Sequence, residues 1–203
     1  MFIYAIKIED IKKQQLLNAI KYICSPISKT EAHISVRGLY KIRQKAEIVK
    51  KVNQSIKGSK IKINGVGNFF NENQNTVYLI ADGVELKKVW HKSTFPQYAP
   101  HITLYNGKDK EFAHSLYEFL LQFDITFEFQ ASELIAYDLS NKNLSFLLSL
   151  EISQGFFEKS LELNYSPEDI SHLNETEKFK IIKVCIEKLQ GQKELIKREP
   201  TLY

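Results

Sequence analysis

The sequence predicts an α+β fold in which the order strand, helix, strand, helix occurs twice. Residues 32–37 and 100–105 both alternate between apolar and polar residues, as β-strands with one buried face do. Amphipathic helical patterns precede and follow each of these two strands. We therefore predict a bilobal molecule with pseudo-two-fold symmetry. Antiparallel sheets from the duplicated lobes would surround a central cleft, followed by a C-terminal helical appendage.

The first half of the chain alternates between strand-like and helix-like patterns, and Gly or Pro marks most of the boundaries. In order, these patterns predict a strand at 2–8, a helix at 10–23, the strand at 32–37, a helix at 42–56 and strand segments at 60–64 and 68–70. Gly65-Val66-Gly67 separates the last two segments. Because no helical pattern follows it, we interpret it as a tight turn or bulge and not as a phosphate-binding loop.

The second half repeats this order. Its patterns predict a strand at 76–81, a helix at 84–90, the strand at 100–105, a helix at 109–123, strands at 125–136 and 144–152, and helices from Ser166-Pro167 and over 174–189. Because the pattern becomes helical after Gly155, we assign residues 1–155 to the bilobal domain and 156–203 to a helical extension packed on it. A dimerising or partner-binding role for this extension is the alternative.

Composition limits the class of protein. Of the 203 residues, 43% are hydrophobic and 12% aromatic, which is enough for a packed core and excludes a largely disordered chain. Cys24 and Cys185 occupy apolar positions of predicted helices, so we expect buried thiols and no disulfide. The sequence shows neither a secretory signal nor a membrane-spanning stretch. We therefore expect a soluble, cytoplasmic protein that acts as a monomer.

Each of the two alternating strands carries a histidine and a hydroxyl on one face: His33 with Ser35, and His101 with Thr103. Two imidazoles suit in-line displacement at phosphorus, because one can take a proton from the attacking oxygen while the other protonates the leaving oxygen. The hydroxyls can donate hydrogen bonds to phosphate oxygens. Either motif alone would fit a surface or core histidine. The repetition favours a paired catalytic site.

These two motifs carry a family resemblance. His33-Ile34-Ser35 and His101-Ile102-Thr103, with Tyr98-Ala99-Pro100 leading into the second, resemble the motifs of the 2H phosphoesterase superfamily. That superfamily includes the RNA 2′,3′-cyclic phosphodiesterases and the so-called 2′-5′ RNA ligases. The resemblance covers about residues 1–152, and Ser35 stands where threonine is commoner. It implies a bilobal fold with both motifs lining one cleft, and no metal or cofactor.

Further residues near the motifs are candidates for substrate binding. Arg37 lies on the face of His33 and could stabilise phosphate charge, although a surface arginine is the alternative. Tyr105 has the corresponding position on the second strand and could bind phosphate or stack on a base. Four aromatic residues flank the motifs and could stack on a nucleobase, or belong to the core or rim: Tyr40, Trp90, Phe95 and Tyr98.

The charge distribution and the spacing of the remaining histidines indicate which kind of ligand to expect. Between Arg37 and Lys62 there are nine Lys or Arg residues and a single acid, Glu47, which favours an anionic ligand unless this is merely a solvated helix face. Three further histidines show no metal-ligand spacing, so we expect no metal site: His91, His114 and His172. His91-Lys92-Ser93 copies the outline of the motif, but it lies outside an alternating strand.

The sequence therefore predicts a metal-independent phosphodiesterase that acts on a nucleotide, a cyclic nucleotide or an RNA end, with a 2′,3′-cyclic phosphate as the leading substrate. One histidine would activate water, the other would protonate the leaving ribose oxygen, and the hydroxyls would hold the phosphate. Which histidine is the base stays open. The alternatives are a hydrolase of cyclic oligonucleotide signals or 2′-5′-linked oligonucleotides, a non-catalytic RNA- or nucleotide-binding module, and an interaction protein that acts through its C-terminal helices.

Overall fold

The computed structural model describes residues 1–25, 30–72, 74–92, 97–139 and 167–191. Within these ranges strands and helices are mixed along the chain, and the predicted α+β class is confirmed. The elements are β1 (Phe2–Ile8), α1 (Ile11–Cys24), β2 (Ile34–Tyr40), α2 (Ala46–Ile56), β3 (Lys60–Asn71), β4 (Gln74–Asp82), α3 (Val84–Val89), β5 (His91–Lys92), β6 (His101–Gly107), α4 (Lys110–Leu121), β7 (Thr126–Asp138), α5 (Pro167–His172) and α6 (Glu175–Gln190).

The described strands join one sheet in the order β1-β7-β3-β4-β6-β2-β5. β1 also pairs with β2, so the first six strands of this order form a closed ring. Neighbouring strands of the ring are antiparallel, whereas the short β5 pairs with β2 in parallel. The described strands thus join in one continuous sheet, whereas the sequence pattern predicts antiparallel sheets in two duplicated lobes.

Helices cover one face of the sheet and create the main hydrophobic core. α1 packs against β1, β6 and α6, while α4 packs against β3, β4 and β6. The core contains Leu17 and Ile20 of α1, Leu116 of α4, and Ile34 and Ile102 of the sheet, all fully buried. Because side chains alternate along a strand, the residues beside Ile34 and Ile102 point to the opposite face. None of the described helices is long and apolar enough to cross a membrane.

Element boundaries differ from the prediction in several places, and β2, predicted at 32–37, spans Ile34–Tyr40. The helix predicted from residue 42 begins at Ala46, and the two segments predicted at 60–64 and 68–70 form the single strand β3. The pairing of β3 with β4 shifts between Ile63 and Val66, where Gly65 has φ 90°. A bulge therefore separates the two segments, as the glycine spacing predicts. The strand predicted at 144–152 lies outside the described residues.

The C-terminal helix α6 is integrated into the core. Asn174 caps it in a reciprocal capping box with Glu177, and Gly191 ends it in the left-handed conformation. The helix packs on α1, and its apolar face, which includes Ile182 and Cys185, is buried. Cys24 and Cys185 are both buried free thiols. The predicted domain boundary at residue 155 lies outside the described residues.

Candidate functional site

The two motif strands lie side by side at the centre of the site. β2 and β6 run antiparallel, and Ile34 pairs with Ile102. Each histidine therefore faces the hydroxyl residue of the other motif, so that the facing pairs are His33 with Thr103 and His101 with Ser35. Facing side chains in such a register begin about 5 Å apart, and diagonal ones about 7–8 Å apart. The four motif side chains form one cluster on the face opposite the buried isoleucines.

Both histidine rings are held in the same way. Nδ1 of His33 donates to the carbonyl oxygen of Glu31 at 2.7 Å, and Nδ1 of His101 donates to that of Ala99, also at 2.7 Å. A carbonyl oxygen can only accept, so Nδ1 carries the proton in each neutral ring. Nε2, which points away from that carbonyl, is then the nitrogen that can accept a proton. The two histidines are equivalent in tautomer and in backbone anchor.

A cavity of about 410 Å³ adjoins the second histidine, and we name it the His101 cavity. Ser35, Arg37 and His101 contribute its polar wall. The rest of its lining includes apolar or aromatic side chains and two amides: Ile3, Leu39, Phe69, Trp90, Asn71 and Gln74. This volume lies within the range of small-molecule sites, about 300–1,000 Å³. The cavity can therefore accept a flat ring beside the motif residues.

A second cavity, of about 340 Å³, adjoins the first histidine, and we name it the His33 cavity. It is lined by polar side chains and one leucine: Lys21, Ser25, Thr30, His33, Thr103, Asn106 and Leu104. The motif residues are thus divided between two neighbouring cavities, one facing pair in each. A ligand centred on the four motif side chains can extend into both.

Lys21 of α1 is a buried cation in the wall of the His33 cavity. Its side chain is 4% exposed, and burial lowers its pKa from 10.5 to about 8, although the carboxylate of Glu31 acts in the opposite direction. Nζ donates to Thr30 Oγ1 at 2.9 Å and to the Glu31 carbonyl oxygen at 3.3 Å. That carbonyl also accepts from Nδ1 of His33. Lys21 and His33 therefore share one backbone acceptor.

Arg37 reaches the site, as the alternation of β2 predicts. It is half-buried in the wall of the His101 cavity. Nη1 donates to the Val89 carbonyl oxygen at 3.0 Å, and Nε donates to Gln44 Oε1 at 3.2 Å. Both acceptors are neutral, so the guanidinium keeps a full positive charge while its position is fixed. It can therefore attract an anion to the cavity.

The prediction that Tyr105 shares the face of His101 is wrong. The pairing of β6 with β4 shifts, with Tyr78 opposite Thr103 and Val77 opposite Tyr105. This irregularity makes Leu104 an extra residue and turns Tyr105 to the core face, where the ring is 6% exposed. Its hydroxyl accepts from the backbone N–H of Asp109 at 3.1 Å. Tyr105 therefore stabilises the start of α4.

Of the other flanking aromatic residues, Trp90 lies in a cavity, whereas Tyr40 and Tyr98 lie outside both cavities. Trp90 lines the His101 cavity. The Tyr40 hydroxyl is hydrogen-bonded to His91 Nδ1 at 2.6 Å, and the Tyr98 hydroxyl donates to Asp82 Oδ1 at 3.0 Å. Burial raises the pKa of both tyrosines, and in Tyr98 the Asp82 carboxylate adds to this rise. Tyr40 and Tyr98 are not among the described residues that line the two cavities. Phe95 lies outside the described residues.

The structure also brings to the motifs residues that sequence reasoning missed, among them Lys21, Phe69, Asn71 and Gln74. Phe69 contacts His101 edge-on, with ring centroids 5.2 Å apart, and packs on Tyr78 at 4.4 Å. The alternation of Phe69 and Asn71 along β3 was a usable signal, but nothing local shows which strand lies beside the motif.

Among the described residues, no group of three or more His, Cys, Asp or Glu side chains is placed to hold a metal ion.

Comparison with known proteins does not identify the chain. No protein-family model matches it, and no curated protein matches it.

Proposed function

We propose that the protein is a phosphodiesterase of the 2H type that opens a 2′,3′-cyclic phosphate on a nucleotide or an RNA end. One observation carries the proposal: β2 and β6 pair so that each histidine faces the hydroxyl of the other motif. A phosphate centred on this cluster would have a histidine on either side of it and a hydroxyl beside each histidine. In-line displacement requires such an arrangement of base, acid and phosphate donors.

Both histidines are prepared for either role in proton transfer. In the neutral ring Nδ1–H donates to the backbone, so Nε2 can take a proton from water. In the protonated ring the same Nδ1 bond persists, and Nε2–H can donate to the leaving ribose oxygen. The backbone carbonyl therefore holds each ring in position through the whole cycle. After the reaction the two rings have exchanged protonation states, and proton exchange with solvent restores them.

The charge developing on the phosphate would be stabilised from both cavities. The hydroxyls of Ser35 and Thr103 donate to non-bridging oxygens, and Arg37 supplies a fixed cation on the side of the His101 cavity. Lys21 supplies a second cation on the side of the His33 cavity. Because both cations are at least half-buried, their attraction for an anion is stronger than that of exposed lysines. This combination of groups needs no metal ion for the chemistry.

The His101 cavity would hold the nucleobase. Phe69 and Trp90 offer aromatic surfaces, and the amides of Asn71 and Gln74 can bond to base edges. The ribose would then lie between this cavity and the phosphate, which is the geometry of a nucleoside 2′,3′-cyclic phosphate.

The proposal includes a duplicated, bilobal origin of the fold. The two motifs are related by a local two-fold axis through the Ile34–Ile102 pair, and both histidines use the same backbone anchor two residues upstream. The shared backbone anchor supports a duplication, although the strands join in one sheet.

The decisive experiment is turnover of nucleoside 2′,3′-cyclic phosphates by the purified protein in excess chelator. We expect wild-type protein to convert them to phosphomonoesters, and a His33→Ala/His101→Ala double variant to have no activity above background. If only cyclic oligonucleotides or 2′-5′-linked oligonucleotides are cleaved, the two-histidine mechanism stands and the proposed substrate is wrong. RNA binding without turnover of any of these would replace the proposal with a non-catalytic binding module.

A further inference from the structure

A basic groove runs along α2 outside the two cavities. Its volume is about 960 Å³, and it lies between α2 and β7. Three cations line it together with three amides, and these residues are Arg43, Lys50, Lys57, Gln44, Asn53 and Gln54. Among the described lining residues, carboxylates are absent. We name this feature the α2 groove.

The α2 groove meets the His101 cavity at Gln44. The side-chain oxygen of Gln44 accepts from Nε of Arg37 at 3.2 Å, and Arg37 lines the His101 cavity. From there Arg43, Lys50 and Lys57 follow at intervals of seven residues. Lys50 lies within α2, whereas Arg43 precedes its N-cap and Lys57 is its C-cap residue, so the three cations are distributed from one end of the helix to the other. Cationic side chains thus extend from the site along the groove.

Fold stability does not account for these charges. Of the eleven residues in α2, only Ile56 is buried. Lys45 is the N-cap and makes no side-chain capping bond, and Arg43 lies just before it. A positive charge at a helix N-terminus opposes the helix dipole and costs stability. Neither Arg43 nor Lys50 forms an ion pair with any described carboxylate, and Lys57 reaches Glu133 only at 4.0 Å.

We infer that the α2 groove binds the phosphate backbone of a single-stranded RNA whose end occupies the catalytic cluster. This inference rests on the proposed function and names its substrate as an oligonucleotide. Spaced cations attract successive phosphates, and the amides can bond to sugar or phosphate oxygens. A lipid surface fits less well, because the apolar residues Val49, Val52 and Ile56 of α2 pack against the core and are not available to insert into a membrane.

The test combines binding and turnover in the full-length protein. Binding of a fluorescently labelled single-stranded RNA is measured across a salt series, for wild type and for the triple variant Arg43→Gln/Lys50→Gln/Lys57→Gln. Each phosphate contact in a single strand contributes about 0.7 to the slope of log affinity against log salt. We expect the triple variant to lower this slope by about 2. Its kcat/KM for an RNA with a 2′,3′-cyclic end, relative to that for the cyclic mononucleotide, should fall by about tenfold or more.

A charge-matched control removes three lysines of α6: Lys178→Gln/Lys180→Gln/Lys183→Gln. Equal losses in the control and the groove variant, or an unchanged slope in the groove variant, would overturn the inference. Binding of both proteins to phosphatidylserine vesicles is measured in parallel, and groove-dependent vesicle binding without RNA binding would also overturn it. If groove-dependent RNA binding occurs but neither substrate is cleaved, the proposed chemistry fails and the groove assignment stands.

Discussion

Ile34 and Ile102 pair across the antiparallel contact of β2 with β6, and this single register brings the two histidine motifs together. Both isoleucines are fully buried, so the pair is part of the core. The side chains on either side of them point to the other face and form the proposed catalytic cluster. A shift of one residue in either strand would turn its histidine into the core. The hydrophobic core therefore positions the proposed chemistry.

Removing either histidine should reduce turnover strongly. We expect His33→Ala and His101→Ala each to lower kcat for a 2′,3′-cyclic nucleotide by about 10²–10⁴-fold, since each removes a proton-transfer group. His172→Ala is the matched control, because His172 is exposed at the end of α5. Steady-state kinetics with circular dichroism of each variant measures the effect. Full activity in either motif variant contradicts the two-histidine mechanism.

The hydroxyls should act mainly on the transition state. We expect Ser35→Ala and Thr103→Ala to lower kcat by about 10²-fold with little change in KM, because donors aimed at developing charge stabilise the transition state more than the ground state. The matched variants Ser35→Thr and Thr103→Ser retain the hydroxyl and should retain most activity. A higher KM with an unchanged kcat would show that the hydroxyls contribute only to binding of the ground state.

The proposal that the His101 cavity holds the nucleobase can be tested at the aromatic residues that line it. Trp90→Leu keeps an apolar side chain but removes the stacking surface, so KM for the cyclic nucleotide should rise by the equivalent of about 1–3 kcal/mol. Tyr98→Phe is the control, since the Tyr98 hydroxyl is bonded to Asp82 at the rim. Similar KM values for Trp90→Leu and wild type would show that the base binds elsewhere.

Lys21 should make the free energy of unfolding depend on pH in the alkaline range. Its pKa is about 8 in the folded protein, below the 10.5 of an unburied lysine. Between these values the unfolded chain binds more protons at Lys21, so the contribution of Lys21 to the free energy of unfolding should rise as pH increases from about 8 to about 10.5. The full rise corresponds to about 3 kcal/mol. Lys21→Met should remove this rise and be more stable than wild type near neutral pH.

Chemical unfolding of both proteins at about pH 7 and about pH 10 checks this prediction. Lys180→Met provides the control, because Lys180 is exposed and should leave the pH dependence unchanged. The same pH dependence of the free energy of unfolding in wild type and Lys21→Met would mean that Lys21 keeps an ordinary pKa, whereas the two buried thiols affect both proteins equally. Turnover of Lys21→Met should fall in spite of its greater stability, since the His33 cavity loses its cation.

The C-terminal helix should be required for a stable fold. Ile182→Ala should lower the free energy of unfolding by about 2–5 kcal/mol, because Ile182 is fully buried. Ile42→Ala, at a residue that is 80% exposed, should change it by less than about 0.5 kcal/mol. Urea unfolding followed by tryptophan fluorescence gives both values. A small effect at Ile182 would mean that α6 is dispensable for the core.

Local patterns predicted most of the described elements and the motif residues, since alternation, helical periodicity and capping are properties of neighbouring residues. The bulge at Gly65 was likewise predictable, because paired glycines interrupt a strand pattern. The bulge at Leu104 was not, since no glycine marks it and the alternation of β6 continues through Tyr105 in the sequence. A register irregularity of this kind depends on the partner strand.

By itself the sequence determined an α+β chain with two alternating strands, each with a histidine and a hydroxyl on one face. Only the tertiary structure decided that these strands are neighbours, that Phe69 and Asn71 of β3 complete a cavity beside them, and that Lys21 of α1 is buried next to His33. The physical reason is the range of the interactions. Which residue points inward is set by backbone geometry over a few residues, whereas pairing and burial depend on contacts between segments far apart in the chain.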